Sequence, residues 1–358
     1  MTTDTSSQHL ELSISRLAPA QTRSGWARRV IGLTLLNLSI LDVIILTFHA
    51  AIWLRISLAP AGPLRAQAWW FASGLLALAG ATMLLCRGEL LPPGTLRGIA
   101  YRLLTIACVL LSYFEMRTLL PALQPVLLDG ALLAVDEALL GVTPAVWLER
   151  FVSPATTQWF SFFYYSYFWL LVLNVIGTAA LDRDGRRRHE LLLGATVVAL
   201  TGHLLYTVVP GAGPCAHLTF SSPLPGVFWW RQVLAVVERA GALLDIFPSL
   251  HTALPAFFAL HAFRQRQALP FRLIWPIAAF FSANIIVATL FLRWHYAVDV
   301  VAGLTLAAAA QRFAVAVARR KQHRPALGLQ PVFESLWPRR QRVDPHQTCG
   351  RAGPSRSS

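Results

Sequence analysis

Two short stretches carry side chains that can act together on phosphorus. One is Phe247-Pro248-Ser249-Leu250-His251, and the other is Arg293-Trp294-His295-Tyr296-Ala297-Val298-Asp299. His295 and Asp299 are four apart, so on a helix they share a face. A carboxylate there keeps one imidazole nitrogen protonated and leaves the other free as a nucleophile. His251, from a neighbouring helix, can hand a proton to a leaving oxygen. Ser249 follows Pro248 where a helix N-cap falls. The unpaired N–H groups of the first turn, beginning with Leu250, then form a phosphate seat with the helix dipole. Arg293, two residues before His295, can neutralise phosphate oxygens.

Other polar residues carry blander readings. His203 and His261 have no partner at useful spacing and read as packed histidines. Asp42 and His49 fall inside an apolar run, where ionisable groups are costly. They read as a helix–helix polar contact or the wall of a water-filled cleft. The Tyr164-Tyr165-Ser166-Tyr167 run reads as interfacial packing, and Glu115 with Arg117 as a mutual pair or a head-group contact. His251, His295, Asp299 and His217 do not make a tight metal-ligand cluster. Cys86, Cys108, Cys215 and Cys349 lack metal-type spacing. The sequence therefore implies no metal and no cofactor.

The elements that position these residues are membrane helices. The chain is 55% hydrophobic and 13% charged, about half the charge of a soluble domain. Apolar runs near the length that crosses roughly 30 Å of hydrocarbon recur along it. They lie at about 30–54, 68–86, 99–121, 157–181, 191–209, 250–264, 273–291 and 296–317. The fold class is all-α: a polytopic membrane helix bundle of about eight transmembrane helices with interfacial helices on the outer face. Residues 1–25 read as a disordered tail, 26–94 as N-terminal transmembrane helices, 95–318 as the main membrane domain and 319–358 as a disordered basic tail. The net charge of +14 does not form a nucleic-acid stripe. With the N-terminus inside, the inner segments hold eighteen Lys and Arg against seven outside, which puts both termini in the cytoplasm. Both histidine motifs and the turn Pro210-Gly211-Ala212-Gly213-Pro214 then meet at the outer face. The outer segments 122–156 and 210–249 are long. The first is broken by Asp129, Asp136, Gly141 and Pro144 and reads as interfacial helices.

At these residues the chain resembles the type 2 phosphatidic acid phosphatase superfamily. Pro248-Ser249-Leu250-His251 looks like its second signature motif, and His295 with Asp299 like its third. Leu250 in place of the commoner Gly, with Phe247 and Tyr296, is more similar to the branch containing inositol phosphorylceramide synthases and related bacterial membrane proteins. The Pro210–Pro214 turn and the stretch 129–148 fit that branch too. The resemblance covers roughly residues 95–318 and implies His295 as nucleophile, Asp299 as its orienting partner and His251 as general acid. The usual first motif, a Lys and an Arg-Pro pair, has no match before residue 248. Thr289 stands where the third motif usually has Arg.

The function expected is a lipid phosphate phosphotransferase working through a phosphohistidine, inositol phosphorylceramide synthase-like, with a membrane lipid as substrate and a lipid or polyol hydroxyl as acceptor. With water as acceptor the same site is a lipid phosphate or polyprenyl phosphate phosphatase. A transporter or proton relay would show charges near mid-bilayer and repeated halves, and the sequence has neither. The expected location is the bacterial inner membrane, with the site facing the periplasm.

Overall fold

The first apolar run makes two helices. In the computed structural model, which describes residues 23–182, 184–320, 324–334 and 336, α1 (Arg23–Asn37) stops before Ser39 and α2 (Ile40–Ser57) begins after it. Ser39 and Asp42 close a reciprocal capping box. The Ser39 N–H donates to Asp42 Oδ2 at 2.7 Å and the Asp42 N–H to Ser39 Oγ at 3.3 Å. Two long helices follow, α3 (Pro63–Cys86) and α4 (Thr95–Ala122). Then come a short pair, α5 (Asp129–Leu140) and α6 (Pro144–Leu148), and the long α7 (Pro154–Leu181) and α8 (Gly185–Tyr206). Two loop helices, α9 (Pro214–His217) and α10 (Phe228–Ala240), precede α11 (Leu250–Arg264), α12 (Phe271–Phe291) and α13 (Ala297–Arg320). No strand occurs among the described residues; Gly211 and Asp245 make an isolated parallel bridge.

Among the described residues, six helices are long and apolar enough to cross a membrane: α2, α3, α4, α7, α12 and α13. The segment Asp129–Leu140 with Pro144–Phe151 would make a seventh only if counted as one span, and it bends by 68° at its break. Gly141, in the left-handed region at φ 71°, terminates α5 there. The two remaining expected spans, α8 and α11, have a different physical character. α8 packs against α2, α4, α7, α11 and α13. It faces protein more than lipid, so it accommodates buried Arg188, Glu190 and His203. α11 has 15 residues, about 22 Å of rise, short of the roughly 30 Å core. Longer helices, α7, α8, α12 and α13, pack around it.

Basic clusters gather at the end of the bundle opposite the start of α11. Asp42 Oδ2 accepts from Arg87 Nε at 2.8 Å and its Oδ1 from the Tyr101 hydroxyl at 2.5 Å. The C-terminal segment closes this end and corrects the expectation of disorder from residue 319. α13 runs on to Arg320, and residues 324–334 fold back over α1 to α4. Arg87 donates to the carbonyls of Pro331 (3.2 Å) and Val332 (3.1 Å), Arg97 pairs with Glu334, and Arg102 donates to the Glu334 carbonyl at 2.6 Å. Val332 and Phe333 are buried. Buried guanidinium groups need acceptors, and this segment supplies them. The expected disorder at 1–22 and 337–358 lies outside the described residues.

Candidate active site

The turn between α12 and α13 places the third motif. The Thr289 carbonyl accepts the N–H groups of Trp294 (3.0 Å) and His295 (3.2 Å), while the Arg293 N–H donates to the Leu290 carbonyl at 3.1 Å. This is a Schellman-type stop with Arg293 at φ 67°, a left-handed position that favours glycine. The chain reverses there and starts α13. Asp299, in its first turn, accepts the Tyr296 N–H on Oδ2 at 2.9 Å, and the same oxygen is 3.4 Å from His295 Nδ1. That distance is at the loose end of hydrogen bonding, as is common for catalytic pairs without substrate. Both side chains are buried. Thr289 is buried too, its hydroxyl donating to the Ile286 carbonyl at 2.7 Å; it is a structural residue of the cap.

The second motif starts α11 against this turn. The Ser249 N–H donates to the Asp299 carbonyl at 3.1 Å, and its hydroxyl caps the helix by accepting the Thr252 N–H at 3.2 Å. Gly303 permits the crossing, because a Cβ there would lie 2.7 Å from the Ser249 carbonyl oxygen. The Leu250 side chain packs on α8 in a space that only glycine leaves open: a Cβ on Gly202 would meet Leu250 Cδ2 at 2.6 Å. The phosphate seat expected of Ser249 and Leu250 thus narrows. The Ser249 amide is engaged and the Leu250 side chain is packing, while the Leu250 and His251 N–H groups have no partner among the described residues.

His251 is held by rings. It stacks on Tyr164 at 4.2 Å with planes 10° apart and lies 4.1 Å from the Tyr167 ring. The tyrosine run expected as interfacial packing is in fact the clamp on this imidazole. His251 Nε2 is buried without a hydrogen-bond partner among the described residues, and His295 is near enough for its charge to act on His251.

Three carboxylates escaped the sequence reading of the site. Asp129 and Asp136 are seven apart on α5, two turns and one face. Asp129 accepts the Ala212 (2.9 Å) and Gly213 (2.8 Å) N–H groups and the Tyr296 hydroxyl (3.2 Å). Asp136 accepts the Ala297 (2.7 Å) and Val298 (2.9 Å) N–H groups at the start of α13. One short helix thereby pins the Pro210–Pro214 turn and the third motif together. The legible signal was two acids at helical spacing in an apolar stretch. The third is Asp245, which accepts the Tyr113 hydroxyl at 3.2 Å; burial pushes its carboxyl above the ordinary carboxylate range.

Arg293 points elsewhere. Its Nη2 donates to the Ser222 carbonyl at 3.0 Å and lies 3.4 Å from Glu149, and its guanidinium sits 3.9 Å above the Phe220 ring. It ties the 220–222 loop to the segment after α6 and is not bonded to either imidazole. Glu115 and Arg117 do not pair: Arg117 donates to the Glu238 carbonyl at 2.7 Å, and both Glu115 oxygens are buried without a hydrogen-bond partner among the described residues. His203, read as partnerless, has its Nδ1 2.9 Å from Ser112 Oγ.

Comparison with known proteins gives a match at the level of the family. No curated protein and no solved structure matches the chain. The profile of the PAP2 superfamily matches residues 130–313, just over half of the sequence and inclusive of both histidine motifs and of Asp136. The chain belongs to the PAP2 superfamily, whose members are typically phosphatases or phosphotransferases.

Proposed function

We propose that this protein transfers a phosphoryl or substituted phosphoryl group from a membrane lipid to a second hydroxyl compound through a phosphohistidine at His295. The observation that carries the reading is the 3.4 Å His295–Asp299 pair set beside His251 and the unpaired N–H groups that start α11. Asp299 keeps the proton on Nδ1, so the Nε2 lone pair is the one available. That lone pair attacks phosphorus, the P–O bond to the leaving alcohol breaks, and His251 gives its proton to the departing oxygen. The acceptor hydroxyl then attacks phosphorus, the P–N bond breaks with its electron pair returning to Nε2, and the hydroxyl proton passes to His251. The N–H groups of Leu250 and His251 stabilise the charge on the phosphoryl oxygens.

The transfer reading is supported by the cover over the site. The helices α5, α6 and α10 and the loops 210–214 and 241–249 lie at its end of the bundle, and exposed Leu139, Trp147 and Phe228 suit them to the membrane surface. Such a roof excludes water and admits a lipid from the side. Leu250 and the Pro210–Pro214 turn favour the inositol phosphorylceramide synthase-like branch, and the basic clusters at the opposite end favour a site facing away from the cytoplasm. The test is donor consumption by the purified chain with and without an acceptor alcohol. Transfer requires the acceptor for turnover. Equal consumption in both, with hydrolysis the sole outcome, overturns transfer in favour of a lipid phosphatase.

A further inference from the structure

His251 has two ring nitrogens and no hydrogen bond to aim them. Among the described residues its Nε2 is buried without a partner, and no hydrogen bond reaches the ring. His295, by contrast, has Asp299 beside its Nδ1. What holds His251 is a row of rings. Tyr164 stacks on it at 4.2 Å with planes 10° apart, Tyr167 lies at 4.1 Å with planes 35° apart, and Phe168 meets it edge-on at 6.3 Å. Tyr164 and Tyr167 are three apart on α7, so one helix face presents both. Tyr164 is buried and continues the row. Its ring stacks on Trp294 at 6.2 Å with planes 27° apart, and Trp294 lies 6.0 Å from Trp230 of α10. Trp294 immediately precedes His295 in the chain. The ring of Tyr164 therefore links the imidazole of His251 to the turn that carries His295.

A general acid works only when its N–H points at the leaving oxygen, and a misplacement of about 1 Å can cost about 10²-fold in rate. An imidazole free to turn about its side-chain torsions loses that aim. A hydrogen bond usually prevents this, and here ring packing takes its place: stacked and edge-on pairs at these separations have a preferred geometry as well as an attraction. We propose that Tyr164 and Tyr167 are positioning residues for the acid: they aim His251 at the leaving oxygen, and Tyr164, through Trp294, keeps it in register with His295. The ring faces carry this role, so phenylalanine serves where leucine does not. The acid role of His251 rests on the transfer reading above; the fixing of its ring does not.

The test exploits the leaving group. An alkoxide departs only with a proton, whereas 4-nitrophenolate departs without one. The full chain in detergent, with an acceptor alcohol, is offered alkyl and 4-nitrophenyl esters of phosphate and of inositol phosphate. Tyr164→Leu and Tyr167→Leu are expected to lower kcat for the alkyl esters about 10²-fold and for the nitrophenyl esters less than about threefold, with little change in KM. Tyr164→Phe should keep the wild-type ratio of the two rates. Trp294→Leu should give a smaller loss of the same selectivity, not additive with Tyr164→Leu. A general packing defect slows both ester classes alike. Equal slowing therefore overturns the proposal, as does a Phe variant that behaves like Leu. The ring is read separately, by NMR of histidine-labelled chain. The His251 ring protons, assigned by their absence in His251→Gln, should be shifted upfield by the tyrosines. They should move downfield in Tyr164→Leu and stay in Tyr164→Phe. Unmoved protons in Tyr164→Leu overturn the clamp whatever the rates. No phosphoenzyme from any of these esters in the wild type would refute the transfer reading and the acid role with it, and the proton shifts would then uphold or overturn the clamp by themselves.

Discussion

At the residue scale, the site rests on one oxygen with two duties. Asp299 Oδ2 receives the Tyr296 N–H at 2.9 Å and faces His295 Nδ1 at 3.4 Å, so it shapes the turn and, in the proposed mechanism, also sets the tautomer. Asp299→Asn retains an oxygen for Tyr296 and loses the charge that holds the Nδ1 proton. It should therefore fold, melt near the wild type, and lose about 10²–10⁴ in rate. His295→Ala should abolish an acid-labile covalent phosphoenzyme detected with labelled donor. A labelled enzyme in His295→Ala would move the nucleophile to another residue. Arg293, by contrast, keeps a left-handed backbone that glycine fills at less cost, and its side chain holds Glu149, Ser222 and Phe220. It braces the 220–222 loop, and the proposed mechanism leaves the positive pole to backbone N–H groups.

At the element scale, α5 sets the registry. Its two carboxylates take four backbone N–H groups and a hydroxyl from segments 83 to 167 residues away in sequence. Asp136→Ala leaves the Ala297 and Val298 N–H groups without their acceptor at a partly buried helix start, a loss of about 1–2 kcal/mol. The melting temperature should fall, and kcat should fall with little change in donor KM, because α13 carries His295 and Asp299 through the turn that Asp136 fixes. Asp136→Asn should lie between. A variant with the expected loss of stability and wild-type kcat would show that the His295 turn holds itself. The α11 start depends in the same way on Gly303, where the Ser249 backbone approaches too closely for a Cβ, and on Gly202, where the Leu250 side chain does.

At the scale of the whole molecule, the two ends of the bundle differ in kind. One end gathers arginines around the folded-back segment 324–334, and the other holds the histidines under a roof of short helices. If that roof faces away from the cytoplasm, Cys215 reports it. It is exposed, whereas Cys86 and Cys108 are buried. Partial desolvation by the surrounding loop nevertheless pushes its thiol up to about 11. In cells with Cys349 replaced, a membrane-impermeant maleimide should label Cys215 slowly near neutral pH. The rate should rise about tenfold per pH unit while the thiolate remains the minor form. Gly185→Cys, at the basic end, should stay unlabelled from outside. Labelling of position 185 with none at Cys215 at any pH would invert the orientation.

What the sequence determined by itself was the set of local periodicities. Apolar runs of membrane length specify helices wherever they occur, and a His and an Asp four apart at a helix start face the same way whatever surrounds them. Those features were legible because they depend on neighbours in the chain. Where partners lie far apart in the chain, only the tertiary structure decided. The split of the first run is the exception, a local one: Ser39 and Asp42, three apart, close a reciprocal cap there. The C-terminal segment folds because Arg87, Arg97 and Arg102 need acceptors more than 230 residues away. Arg293 looked like a phosphate ligand from its nearness to His295 in sequence, and the left-handed turn sends its side chain to Glu149 instead. Asp129 and Asp136 show only helical spacing in an apolar stretch and Asp245 no local pattern, and neither assigns them to the site. They belong to the site because folding brings each carboxylate to N–H or O–H groups on other elements, and a buried donor without an acceptor is too costly to leave.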